Sequence, residues 1–284
     1  MEMLIRSNKI PRRKAQDMIL AMVKYSNGSS SRFKTDADVK RYLATLGYDF
    51  NDLVRKSMED YNCPIPTENL LGSTWKISGG TATIISAGRE TLKIEGPGEI
   101  TQKAYWGIYE ESIGQLKESI SCGSYTKCQS AISLGISSIE AYIGYRVEQW
   151  NEVHPTEALI DSKENKVSFD DKINYWIPHM TKNKKLDKSN KIWQDYKILR
   201  DIRDNTTVHA KKSSYGVSYD DLTDLIGKYS FGISGMLMEL HKLFNDPIPP
   251  AIIRNFYAPP VTMLEGSDNP QCITNDHSVS SQSF

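Results

Sequence analysis

Apolar positions recur along most of the chain at helical spacing, with polar residues between them. Over residues 101–245 this pattern indicates five helices, and the segment 125–150 is apolar enough to be a central, largely buried helix. Residues 190–210 repeat the pattern, and residues 218–244 begin with Ser and Asp, which suit the positive end of a helix dipole. The sequence therefore predicts a mainly α fold whose C-terminal half is a five-helix bundle.

The first hundred residues have a different pattern of apolar and polar positions. Three short amphipathic patterns within residues 11–60 predict three helices, and β-rich runs separated by turn residues over 73–96 predict an antiparallel meander. We therefore expect a small α+β domain over residues 1–100. Helices followed by a hairpin also match a winged helix-turn-helix, with residues 51–60 as its recognition helix. A small adaptor domain is the alternative, because that helix carries only two basic residues among three acidic ones.

The end of the chain loses the helical pattern. Residues 246–284 contain several prolines and finish in the Ser-rich sequence HSVSSQSF. Such a composition is typical of segments that do not pack a core. We therefore expect an extended arm and a disordered tail, after a bundle that spans residues 101–245.

Charge and composition narrow the possible partners. Thirty-five basic residues balance thirty-five acidic ones, so any nucleic-acid contact is expected to be a local patch. No run of eighteen apolar residues occurs, which predicts a cytoplasmic protein without a membrane partner. The four cysteines include no CxxC pair and no histidine at zinc-finger spacing, so no metal site is expected.

The most informative residues are Arg203 and His209, late in a predicted bundle helix. Cleavage of RNA by internal attack needs a base for the 2′-hydroxyl proton and a cation for the charge that builds on the phosphate, and these side chains suit both tasks. On one helix they are separated by about 120° and about 9 Å along the axis, so they converge poorly. A two-fold dimer brings two such pairs into one cleft.

This pair resembles the signature of the HEPN superfamily, an Arg followed by a polar residue and, after a spacer of four to six residues, a His. The surrounding helices over about half the chain also look like that group. The resemblance implies a helical bundle and metal-independent cleavage of RNA at a homodimer interface by Arg203 and His209, without a cofactor. Asp204 fills the polar position of the motif. Many relatives are toxins or antiviral defence effectors, which is the expected biological role.

Several further residues are predicted to support this site. Asn205 lies four residues before His209 and is placed to orient the imidazole or contact RNA. Glu140 on the central helix is expected to be a buried partner of Arg203 or Arg200, because an acid in an apolar stretch needs a cation. Lysines on both sides of the motif helix are candidates for contacts with the RNA backbone: Lys184, Lys185, Lys188, Lys211 and Lys212.

Two other functions remain open at this point. The same bundle is also suited to a non-catalytic module that dimerises or holds a partner protein, such as an antitoxin. A DNA-binding regulator that uses the N-terminal helices is the third possibility. Phosphate-binding loops, dinucleotide-binding glycine motifs and serine-nucleophile elbows are absent from the sequence, so nucleotide hydrolysis, dehydrogenation and serine hydrolysis have no sequence support.

Overall fold

The structure is a computed structural model that describes eight stretches of the chain. They are residues 10–25, 33–59, 74–78, 81–86, 89–95, 104–161, 166–205 and 219–258. His209, Lys211 and Lys212 lie outside the described residues, as does the predicted tail from residue 259 onward. Within the described residues the chain is mainly helical.

Three helices precede the strands, namely α1 (Arg12–Tyr25), α2 (Asp36–Thr45) and α3 (Phe50–Glu59). Helix α1 buries one apolar face that includes Met18, Ile19 and Met22. Helix α2 begins with a capping box, in which the side chains of Thr35 and Asp38 accept hydrogen bonds from each other's backbone N–H. The capping box explains why α2 begins at Asp36.

Three strands follow, β1 (Thr74–Ser78), β2 (Thr81–Ser86) and β3 (Arg89–Glu95). They form an antiparallel sheet in the order β1-β2-β3. The pairing of β2 with β3 shifts register between Ile84 and Ile85, because β3 has one extra residue, Thr91, between their partners. Among the described residues, the main packing partners of these strands are one another.

The centre of the fold is a pair of long helices, α4 (Ala104–Cys122) and α5 (Tyr125–Val153). A tight turn joins them, with Gly123 in the left-handed region at φ 61 and Ser124 capping α5. Because the connection is so short, the two helices run antiparallel and pack along their lengths. The central helix predicted over 125–150 is thereby confirmed.

Four more helices complete the described fold, and two of them contain a wider π turn. Helix α6 (169–180) contains the π segment Lys172–Trp176. Helix α7 is Lys191–Arg203. Helix α8 (219–244) contains the π segment Ser230–Ser234, and α9 is Pro250–Tyr257. A 3-10 turn, Pro155–Glu157, follows α5.

The π segment of α8 packs against several other helices of the bundle. A Cβ on Gly232 would lie 2.8 Å from the backbone nitrogen of Tyr196, so α7 approaches α8 here almost backbone to backbone. On the other side, the hydroxyl of Tyr109 on α4 lies 2.9 Å from that of Ser234 and accepts a 3.1 Å bond from Asn255 on α9. A buried polar network therefore joins α4, α8 and α9 at this point.

Two predictions about the ends of the chain need correction. The arm predicted from residue 246 is wrong for Pro250–Tyr257, which is helix α9 and buries Ile252 and Ile253. A separate N-terminal α+β domain is not supported, because α1 packs against α9 as well as against α3. The backbone N–H of Ile248 also donates a 3.0 Å bond to the carbonyl of Tyr25. The two ends of the described chain thus share one core.

Within the described residues, none of the helices combines the length and the hydropathy that crossing a bilayer requires. The same part of the chain contains no cluster of three or more His, Cys, Asp or Glu side chains arranged to hold a metal ion.

Candidate functional site

Helix α7 carries the motif arginine and is firmly anchored in the bundle. Asn190 caps its first turn by accepting a 3.0 Å hydrogen bond from the backbone of Trp193. Trp193, Tyr196 and Leu199 form its buried face against the core. This packing fixes the rotation of α7, so that its last turn presents Arg200 and Arg203 toward α5 and α6.

Arg203 is held by two carboxylates. Its Nε donates a 3.0 Å hydrogen bond to Asp204, and its Nη1 donates a 3.1 Å bond to Glu140 on α5. Nη2 donates to no described residue. Burial alone would lower the pKa of Arg203, but the two carboxylates outweigh it and hold that pKa above its ordinary value. The guanidinium is thus fixed in orientation and permanently charged.

Arg200, one turn earlier, is fixed in a similar way. Its Nη1 donates a 2.9 Å bond to Asp170 on α6, and its guanidinium lies 5.4 Å from the ring centre of Phe169. Its Nε is 3.9 Å from Asp204, so that carboxylate lies between both arginines. Arg200 was named in the sequence only as an alternative partner of Glu140, and Asp170 was not identified. Arg200 and Asp170 come together because α6 packs against α7.

The cluster has a small acidic excess. Two arginines face the carboxylates of Glu140, Asp170 and Asp204. The described part of the site therefore lacks the positive surplus that a phosphate needs. The candidates for such a surplus that the sequence offers next to α7 are His209, Lys211 and Lys212, which lie outside the described residues.

Tyr196 lies beneath the arginines and is not among the residues that the sequence predicts for the site. Its side chain is buried, and its hydroxyl has no hydrogen-bond partner among the described residues. Burial raises the pKa of Tyr196 well above its ordinary value, while the nearby Arg200 acts in the opposite direction. The sequence did not indicate its position beside Arg200 and Arg203, because a tyrosine within an apolar helical pattern is typical of an ordinary core residue.

The predicted supporting residues are only partly brought together. Glu140 is the partner of Arg203, as expected, but the prediction that it is buried is wrong, since its side chain is 44% exposed. Glu140 lies on the solvent-facing side of α5, where water solvates its carboxylate in addition to Arg203. Asn205 donates a 2.8 Å bond to the carbonyl of Asp201 on its own helix. Its predicted contact with His209 lies outside the described residues.

The lysines before α7 do not lie beside Arg203. Lys184 lies 3.3 Å from the carbonyl of Leu243, at the C-terminal end of α8. Lys188 donates to Asn174 and lies 4.8 Å from the ring centre of Trp193. Lys185 is exposed in the same loop. Because α7 rises about 1.5 Å per residue, its first residue is about 18 Å from Arg203 along the axis. These lysines therefore belong to the other end of the helix.

Comparison of the chain with protein-family models, curated proteins and solved structures gives no match. The resemblance to the HEPN superfamily therefore rests on the spacing of Arg203 and His209 and on the helical pattern around them. It stays a prediction, and the site described so far is an ion-paired arginine cluster at one end of a helical bundle.

Proposed function

We propose that the chain is a metal-independent endoribonuclease of HEPN type, in which Arg203 and His209 act on RNA at a homodimer interface. The observation that carries this proposal is the state of Arg203. Its guanidinium is oriented through Nε and Nη1, while Nη2 donates to no described residue and the side chain remains 18% exposed. An arginine held in this way is prepared to donate to a phosphate oxygen.

The chemistry follows from the two side chains. In this proposal His209 takes the proton from the 2′-hydroxyl, or gives one to the leaving 5′-oxygen, since imidazole exchanges protons near neutral pH. Arg203 stabilises the negative charge that builds on the phosphate. A two-fold axis supplies a second copy of both groups, so that base and acid can come from different subunits. No step requires a metal ion or a cofactor.

In this proposal the five helices of residues 101–245 are the HEPN-like bundle, and the N-terminal hundred residues select or sense the target. A toxin or antiviral effector with such an activity would need restraint, for which a partner protein such as an antitoxin is suited. The packing of α1 on α9 ties the N-terminal region to the bundle.

A non-catalytic interaction module is the second candidate, and one observation favours it. Each arginine of the site already has carboxylate partners, and the described cluster is acidic overall. Cations in the last turn also stabilise a helix by interaction with its dipole. In that case Arg200 and Arg203 end α7 and tie it to α5 and α6, and the bundle serves for dimerisation or for binding a protein.

The test is cleavage of total tRNA and of a generic single-stranded RNA by the full chain in EDTA. We expect cleavage by the unmodified chain, and its loss in His209→Ala and in Arg203→Lys, which keeps the charge but not the planar fork. His179→Ala and Arg41→Lys are matched controls, because both side chains are exposed and lie outside the site.

Two results contradict the proposal. The first is the absence of cleavage at any concentration, and the second is equal cleavage by the controls and the site variants. In either case, sedimentation of the chain at several concentrations tests the interaction module. That function requires self-association or binding of a defined protein, and Arg203→Ala should leave this association unchanged.

A further inference from the structure

Basic residues far apart in the sequence converge at the end of α7 opposite Arg203. The ammonium group of Lys14, in the first turn of α1, lies 5.9 Å from the ring centre of Phe231, and that of Lys191, at the start of α7, lies 5.1 Å from the same centre. We call this surface the basic end, and it consists of Arg12, Arg13, Lys14, Lys188 and Lys191.

Few side chains of the basic end are paired with an acid. Within the described residues, Arg12, Arg13 and Lys14 form no ion pair, and the hydrogen bond of Lys188 goes to the neutral amide of Asn174. Only Lys191 has a carboxylate partner, the buried Asp195. The two ends of α7 therefore differ in sign, with a positive surplus here and an acidic excess around Arg203.

The helix dipoles do not favour cations at these positions. The first turns of α1 and α7 contain no acidic residue, and cations there oppose the positive end of each helix dipole. Aromatic rings lie under the lysine side chains, Phe231 under Lys14 and Lys191, and Trp193 under Lys188. A positive surface with partly exposed aromatic side chains beside it is the combination by which proteins track a single-stranded nucleic-acid backbone.

We infer that the basic end binds the phosphate backbone of single-stranded RNA. The inference rests on the proposed function for the identity of its ligand, and it moves the main RNA contact away from the catalytic arginine. The lysines and arginines neutralise successive phosphates, while the half-buried Phe256, which packs against Phe231, offers apolar surface to a base. A strand held here extends along α7 toward Arg203, about 18 Å away.

The experiment is binding of a fluorescent single-stranded RNA, followed by anisotropy at several salt concentrations. All chains carry His209→Ala, so that cleavage does not interfere. The test variant neutralises the first turn of α1, with Arg12→Gln, Arg13→Gln and Lys14→Gln. The control variant neutralises two other arginines and one other lysine, which lie on α2 and α3, with Arg41→Gln, Arg55→Gln and Lys56→Gln. Arg55 and Lys56 lie in the recognition helix of the winged-helix alternative, so the control variant also tests that possibility.

We expect the test variant to bind at least about tenfold more weakly near 0.1 M salt, and its slope of log affinity against log salt to fall by about 2, as for three lost phosphate contacts. The control should stay within about twofold of the parent, since it lies outside the RNA path of this proposal. Equal binding by test variant and parent overturns the inference, as does a parent that binds no RNA.

Two further arms separate this inference from its alternatives. Sedimentation with vesicles rich in phosphatidylserine tests a membrane surface, and loss of vesicle binding without loss of RNA binding overturns the inference. Cleavage by the same variants with His209 intact separates it from the proposed function. RNA binding that is weakened in the test variant, without cleavage by the intact chain, supports the inference and contradicts the nuclease. Cleavage and RNA binding that are the same in the test variant and the parent support the nuclease and contradict the inference.

Discussion

Glu140, in the middle of α5, accepts a 3.1 Å hydrogen bond from Nη1 of Arg203, which lies at the end of α7. The contact joins the longest helix of the bundle to the helix that carries the motif arginine. Because the Glu140 side chain is 44% exposed, water competes for the pair and limits what it adds to stability. Its main effect is therefore to orient the guanidinium.

Replacing Glu140 with Ala should affect cleavage more than stability. We expect the free energy of unfolding to change by no more than about 1 kcal/mol, as for other exposed pairs. Cleavage should fall between about tenfold and about a hundredfold, because the arginine loses its orientation. Urea unfolding and initial cleavage rates measure the two effects.

Two companion variants show whether Glu140 acts as a positioning residue. Glu140→Gln keeps an acceptor oxygen and should recover part of the rate. Glu148→Ala removes an exposed carboxylate two turns later on the same helix and should retain the parental rate. If Glu140→Ala and Glu148→Ala cleave equally well, Glu140 has no part in positioning Arg203.

Gly232 should be the glycine of α8 least tolerant of a side chain. A Cβ there would lie 2.8 Å from the backbone nitrogen of Tyr196 and 2.9 Å from the carbonyl carbon of Asp195. Backbone cannot move aside as a side chain does, so Gly232→Ala should lower the free energy of unfolding by about 1–3 kcal/mol.

The matched control for this prediction is in the same helix. A Cβ on Gly227 meets nothing within 4 Å, so Gly227→Ala should leave stability unchanged or raise it by up to about 1 kcal/mol. Urea unfolding of both variants decides the matter. Equal stability of the two would mean that α7 does not approach α8 as closely as the structure has it.

The helical part of the fold was predictable because its apolar stripes are long. The patterns over 101–120 and 125–150 correspond to α4 and α5. Helix α9 was missed for a physical reason. Its eight residues follow two prolines, and Pro250 was interpreted as part of an extended arm, although proline in a first helical turn is favourable. Short helices that gain stability only from packing leave little periodic signal.

The site was predictable only in part. The pairing of Glu140 with Arg203 or Arg200 was expected, since an acid within an apolar helical stretch needs a cationic partner. The exposure of Glu140 was not expected, although the repeat of buried residues at Ile132, Ile139 and Ile143 leaves position 140 outside the buried face of α5. The convergence of Lys14 with Lys191 on Phe231 was also invisible, since it depends on how α1 packs against residues far along the chain.

Tyr109 should make the fold sensitive to alkaline pH. Burial raises the pKa of Tyr109 to about 12, although its bonds with Ser234 and Asn255 act to lower it. In the unfolded chain a tyrosine ionises near pH 10. Its contribution to stability is therefore complete below about pH 10, and the free energy of unfolding falls as the pH rises from about 10 to about 12.

Urea unfolding at a series of alkaline pH values measures this slope, and ultraviolet absorbance of tyrosinate follows the ionisation. In Tyr109→Phe the slope should be shallower. The same variant should be less stable near neutral pH by about 1–3 kcal/mol, because the buried Ser234 and Asn255 lose a partner. An unchanged slope in Tyr109→Phe would assign the alkaline sensitivity to other groups.

Asp246 should stabilise the end of α8 more than an ordinary surface acid does. Asn245 ends α8 in the left-handed region at φ 56, and this turn directs Asp246 back onto α5. There its carboxylate accepts a 2.6 Å bond from the hydroxyl of Tyr142 and a 3.2 Å bond from Arg146. The Tyr142 side chain is fully buried, so removal of its acceptor leaves a hydroxyl without compensation.

We therefore expect Asp246→Ala to lower the free energy of unfolding by about 1–3 kcal/mol. Asp224→Ala is the control, since its partner Lys228 lies four residues along the same helix and its own side chain is 64% exposed. That variant should cost no more than about 1 kcal/mol. Urea unfolding near neutral pH compares the two, and equal losses would show that the bond to Tyr142 contributes nothing beyond a surface ion pair.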